Sequence, residues 1–169
     1  MAPSEKAMIL RAFDQAFDAK SWHGTNLRGS VRGLALDEIV FRPRPGGNTI
    51  WELVVHCAYW KYAVRRRLTG GPRGSFAYEG SNFFPRPSRV EEANETDWKR
   101  DVRLLVAMHE ALRAEIERLP ARRLDEISRE GSPVPNRDML LGIAAHDLYH
   151  AGQIQLLKKL ARAGGSAAS

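Results

Sequence analysis

Apolar residues recur at three- and four-residue spacing through four long stretches of this chain. In the first, Ala7, Leu10, Phe13, Ala16 and Phe17 alternate with Lys6, Arg11, Asp14 and Asp18, which predicts an amphipathic helix over residues 5–20. Ser21-Trp22-His23-Gly24-Thr25 interrupts the pattern, and Leu27, Val31 and Leu34 resume it, as one kinked helix or as two short ones meeting at Gly24. Residues 37–48, with Arg42-Pro43-Arg44-Pro45-Gly46-Gly47-Asn48, predict a loop, because proline and paired glycine block regular structure. Ile39-Val40-Phe41 is too short to change the fold class.

Thr49-Ile50-Trp51-Glu52 has the form of a capping box, a hydroxyl residue followed three later by glutamate, and predicts a helix from that point to about Thr69. Gly70-Gly71-Pro72 stops it. The connection over residues 70–88 is rich in glycine, proline and aromatics (Phe76, Tyr78, Phe83, Phe84), a length that is uncommon without a task such as covering a site or crossing a bundle. Asn94 caps a third helix ending near Leu119-Pro120. Its seam of Trp98, Val102, Leu105, His109, Leu112, Ile116 and Leu119 alternates fours and threes, as bundle helices do. Pro133-Val134-Pro135-Asn136 starts a last helix through Arg162, with the seam Met139, Ile143, His146, His150, Gln153, Leu157 and Leu160. Four long helices and no credible strand pattern predict an all-α four-helix bundle, one domain over residues 1–163 followed by a flexible tail, 164–169.

Composition removes several function classes. A chain of 169 residues with 43% hydrophobic and 27% charged residues buries one core without a disulfide or structural metal. Charged residues and histidines interrupt every apolar run well short of the roughly 20 residues of a membrane span, so no membrane partner is expected. The N-terminus has no signal-peptide pattern, and the lone cysteine, Cys57, fits a reducing compartment, so the cytoplasm is the expected location. A net charge of +6 raises the question of nucleic acid. The only run of three cations, Arg65-Arg66-Arg67, falls where a helix should end and complements its dipole, so nucleic acid is not the expected partner.

Candidate chemistry lies in the last seam. His146 and His150 stand where leucine would pack at no desolvation cost, and a four-residue separation puts both imidazoles on one helical face within reach of one ion. His56, in the seam Leu53, His56, Trp60, Ala63 of the second long helix, is compatible with the same layer; spacing alone does not place it there. Three neutral imidazoles suit zinc, nickel, copper or ferrous iron and leave a coordination position open. A lone seam histidine is more often a hydrogen-bonded core residue than a ligand, and the four-residue pairing is what raises the metal reading. Asp147 brings His146-Asp147-Leu148-Tyr149-His150 close to the zinc-protease pattern, as a general base one methylene short, as an acceptor for a ligand imidazole, or as no more than a surface residue near the seam. His23, at the helix break, and His109, in the third seam, either join the cavity or are satisfied elsewhere. Cys57, turned about 100° from His56, is not counted as a ligand. Tyr59, Trp60 and Tyr149 read as packing groups, with a tyrosine hydroxyl near a metal as the alternative acid.

The segment Ile50-Trp51-Glu52-Leu53-Val54-Val55-His56-Cys57-Ala58-Tyr59-Trp60, taken with His146-Asp147-Leu148-Tyr149-His150-Ala151-Gly152-Gln153-Ile154, resembles the DinB/YfiT-like superfamily. The early Trp22-His23-Gly24 element and the proline-rich loop before the second long helix extend the resemblance over nearly the whole chain. It implies a four-helix bundle in which His56, His146 and His150 bind a divalent metal, zinc or nickel foremost, and it implies a homodimer. Relatives of that kind include thiol-dependent S-transferases, a mycothiol-dependent isomerase and proteins described as metal-dependent hydrolases. The expected function is a metal-dependent enzyme acting on a small-molecule substrate, with water or a low-molecular-weight thiol as second reactant. Arg65 or Arg137 could then bind an acidic thiol. The alternative is a non-catalytic, stress-associated metal-binding or interaction protein, for which a fourth protein ligand such as His23 would close the site.

Overall fold

The computed structural model describes residues 2–128 and 133–166, with side chains through Gly164. Six α-helices follow in chain order: α1 (Glu5–Phe17), α2 (Leu27–Ser30), α3 (Leu36–Val40), α4 (Ile50–Thr69), α5 (Glu95–Arg118) and α6 (Asn136–Ser166). Among the described residues there is no strand, only an isolated antiparallel bridge between Ile127 and Pro135. No helix among them is long and apolar enough to cross a membrane.

The helix starts are dictated by local chemistry. Ser4 caps α1 through Ala7 N–H, and Asn94 caps α5 through Asp97 N–H. At α4 the box is complete: Thr49 Oγ1 accepts from Glu52 N–H at 3.2 Å, and Glu52 Oε2 accepts from Thr49 N–H at 2.9 Å. Gly70, at φ 69°, ends α4 in the left-handed conformation that glycine adopts without a Cβ penalty.

The four long helices close a ring of contacts, with α1 and α4 each packed against both α5 and α6. Short helices α2 and α3 lie against α6, and α3 also meets α4. Three expectations need correction. The first helix ends at Phe17 rather than at residue 20, and the pattern that resumes after Gly24 is helical only over Leu27–Ser30. Residues 36–40 are helical rather than the start of a loop: Glu38 Oε2 accepts Ala35 N–H at 2.8 Å in the first turn, and Ile39 and Val40 are buried. The last helix does not stop at Arg162 but continues to Ser166, because Gly164 and Gly165 lower helix propensity without removing an N–H donor as proline would. Of the tail expected over 164–169, residues 167–169 lie outside the described residues.

The core is divided. One apolar cluster gathers around Trp51, Val54, Leu105 and Ile154, the other around Phe13, Leu112, Ile116 and Leu140. Between them a polar layer crosses the bundle, formed by Lys61 of α4, His109 of α5 and Asp147 of α6, all buried. The three histidines read from the sequence lie beside this layer.

Candidate metal centre

Helix α4 supplies His56, and α6 supplies His146 and His150 one turn apart. His146 Nε2 lies 3.1 Å from His56 Nε2 and 3.1 Å from His150 Nε2. The other ring nitrogens point outward. His56 Nδ1 meets the carbonyl oxygen of Asn82 at 2.8 Å, and His150 Nδ1 meets Gln153 Oε1 at 2.6 Å. An oxygen acceptor fixes the proton on Nδ1, so in the neutral rings both of those Nε2 atoms present lone pairs. The triad therefore offers at least two lone pairs to a common point, and a third when His146 carries its proton on Nδ1. His146 Nδ1 is buried with no hydrogen-bond partner.

The electrostatics keep the set unprotonated. Burial pulls His146 down to about 3, helped by the neighbouring imidazoles and Lys61. Burial pulls His150 down to about 4 against the Gln153 hydrogen bond, and lowers His56 against the Asn82 carbonyl. Three neutral imidazoles with converging nitrogens fit a divalent ion of borderline softness. A tetrahedral ion with Zn–N distances of about 2.0–2.1 Å spaces its ligand nitrogens roughly 3.3 Å apart, close to the separations seen here.

The 70–88 connection covers the site. Asn82 sits at φ 67°, and from this turn its backbone carbonyl accepts a hydrogen bond from His56 Nδ1–H while its side-chain oxygen accepts Trp60 Nε1–H at 3.0 Å. Phe83 stacks on His56, with ring centroids 4.1 Å apart. The far end of the connection is pinned to α5. Asp101, fully buried, accepts from Trp51 Nε1 at 2.7 Å, from Arg86 Nε at 2.8 Å and from the Tyr78 hydroxyl. Burial raises the Tyr78 pKa, and the Asp101 carboxylate adds to the rise.

The remaining candidates fall in different places. Asp147 faces the core, fully buried and ion-paired with an equally buried Lys61. Its Oδ1 has no partner, and its carboxylate lies within 4.8 Å of ligand atoms of His146 and Cys57. Burial raises Asp147 to about 6, with Lys61 opposing. Cys57 is buried behind His146, its thiol pushed well up by burial and the Asp147 charge. His109 is sandwiched between Phe13 and Phe17 at 4.3 and 3.7 Å and stays outside the cluster. His23 is exposed, its Nδ1 3.4 Å from Ser21 Oγ. Tyr149 is 64% exposed rather than packed. Arg65 pairs with Glu115, and Arg137 with Glu5 and Asp125, so neither stands over the histidines.

Sequence reasoning missed three groups. Lys61 had a signal, since Val54, Cys57, Lys61, Val64 and Leu68 form an unbroken three-four stripe with one cation in it. Asp101 had a weaker one, as a carboxylate four residues before Leu105 of the seam. Asn82 had none, lying in a connection without periodicity.

Comparison with curated proteins and with solved structures found no match. A family model does match: that of the DinB superfamily, over residues 21–154. That span contains the three histidines, the buried ion pair and the covering connection, and the chain belongs to the DinB superfamily.

Proposed function

We propose that this protein holds a divalent ion, zinc or nickel, on His56, His146 and His150, and that it is a metal-dependent enzyme of the S-transferase or hydrolase type. One observation carries the reading: three imidazoles, those of His56 and His150 buried and that of His146 half-buried, turn their Nε2 atoms toward one point while two of the Nδ1 atoms are held by oxygen acceptors. Such an ion supplies Lewis-acid activation of water or of a low-molecular-weight thiol at a position the protein leaves open.

The chain's own residues do the rest. The Asn82 carbonyl and Gln153 orient two imidazoles, as outer partners of metal-bound histidines do. Phe83 and Trp60 limit water at the site. Asp147 acts in this reading through His146, as a carboxylate held ionised by Lys61 next to an imidazole that lacks an acceptor, and not as the base that meets substrate. The same reading includes a homodimer, formed on the outer face of α6 where Leu141, Tyr149, Leu156 and Leu160 are exposed in one stripe.

The test is elemental analysis of purified protein beside a folded His56→Ala/His146→Ala/His150→Ala variant. About one zinc or nickel per chain in the parent and none in the variant is expected; a parent that takes up no metal after incubation with either ion refutes the reading. The second reading, a non-catalytic metal-binding or interaction protein, draws on the Phe83 ring stacked over His56. The cobalt-loaded protein separates the two: a visible spectrum that shifts with added thiol or azide marks an open position, and an unresponsive spectrum favours the second reading.

A further inference from the structure

A second cavity lies away from the histidines. It occupies about 820 Å³ at the C-terminal end of α4, walled by α5 and by the segment that follows it. Three arginines line it, Arg67, Arg118 and Arg123, with two glutamates. The glutamates are already neutralised: Glu115 pairs with Arg65 and Arg118, at 3.3 and 3.4 Å, and Glu126 with Arg123 at 2.9 Å. Arg123 also donates to the Leu68 carbonyl at 3.2 Å. Arg67 is different. Its guanidinium carbon lies 5.6 Å from the Trp60 ring centroid, and its Nε is buried with no hydrogen-bond partner. On the same wall Ser128 Oγ is buried and unpartnered.

A buried donor without an acceptor costs free energy, and a cation with a planar fork is built to take two oxygens at once. The cavity volume falls in the range of small-molecule sites. We propose that this cavity binds the oxyanion end of a small molecule, a carboxylate or a phosphate, with Arg67 as the principal donor and Ser128 as a second. The Trp60 ring under Arg67 lies 6.3 Å from the His56 ring and 6.2 Å from the His146 ring. An oxyanion on Arg67 is thus one aromatic ring away from the imidazoles. Only that link to the histidines rests on the metal reading; the oxyanion site itself does not.

The experiment uses full-length, chelator-treated protein labelled with ¹⁵N, titrated at low ionic strength with sodium phosphate and, separately, with sodium succinate while the Arg67 Nε–Hε resonance is followed. A saturable shift of that resonance is expected with at least one probe, and Arg67→Met is expected to weaken binding roughly ten-fold or more, the loss of a charge-assisted hydrogen bond. Tighter phosphate binding identifies a phosphate-bearing ligand; tighter succinate binding identifies a carboxylate. No saturable shift with either probe, or equal affinity in Arg67→Met, overturns the proposal. The shift is read in the parent protein, so a variant that fails to fold does not remove the test. The sample holds no metal, so its outcome is separate from that of the metal analysis.

Discussion

Lys61 and Asp147 hold opposite charges where their other neighbours are two phenylalanine rings, a thiol and a neutral imidazole. Removing one charge strands the other in the core, so Asp147→Asn should cost about 3–5 kcal/mol in urea unfolding. Lys61→Met/Asp147→Leu, which removes both, should recover most of that loss. His109 sets a different acid response. Burial brings it down to about 2 from the usual 6.5, with Lys61 and Arg113 contributing. The unfolded chain then binds its proton first: the stability this residue permits is complete above pH 6.5 and falls as pH drops toward 2. His109→Phe should therefore flatten the acid limb, narrowing the loss between pH 7 and pH 5 by on the order of 2 kcal/mol in parallel urea titrations. At this scale the histidine pair was legible because helical spacing alone puts two imidazoles on one face. Cys57 shows the limit of the same rule: its angular offset from His56 is real, yet α6 packs closely enough to bring His146 and Asp147 within 4.8 Å of it.

Helices α4, α5 and α6 were readable because caps and seams are written locally, as Thr49 with Glu52 and Asn94 with Asp97 show. The connection between α4 and α5 was not, because its geometry depends on partners far along the chain. Asp101 collects it from α5, and Asn82 carries it onto His56 and Trp60. Asp101→Ala removes three hydrogen bonds to a carboxylate, each worth about 1.5–3 kcal/mol. Amide exchange within residues 76–89 should then quicken by about ten-fold or more, while amides in the middle of α4 and α5 keep their protection. Mass spectrometry of deuterium uptake reads both regions in one experiment. Equal acceleration in the helices would mean that Asp101 supports the bundle rather than the connection. The short helix α3 was missed for a related reason: the two prolines that follow it, Pro43 and Pro45, mask a single turn that Glu38 and two buried side chains are enough to hold.

For the molecule as a whole, the stripe of Leu141, Tyr149, Leu156 and Leu160 is the face on which a second copy is proposed to dock, since these side chains are 42–64% exposed on the outside of the longest helix. Sedimentation should give a dimer for the parent chain and a monomer for Leu156→Glu/Leu160→Glu with unchanged helix content. A parent that sediments as a monomer removes the dimer and leaves the metal reading intact. Inside each chain, the polar layer of Lys61, His109 and Asp147 separates two apolar clusters. A buried ion pair of this kind tolerates no slippage, because moving α6 by one turn against α4 would leave both charges facing hydrocarbon. The bundle is keyed at its waist. That pair therefore sets the register of α6 on α4, and with it the alignment of His146 opposite His56.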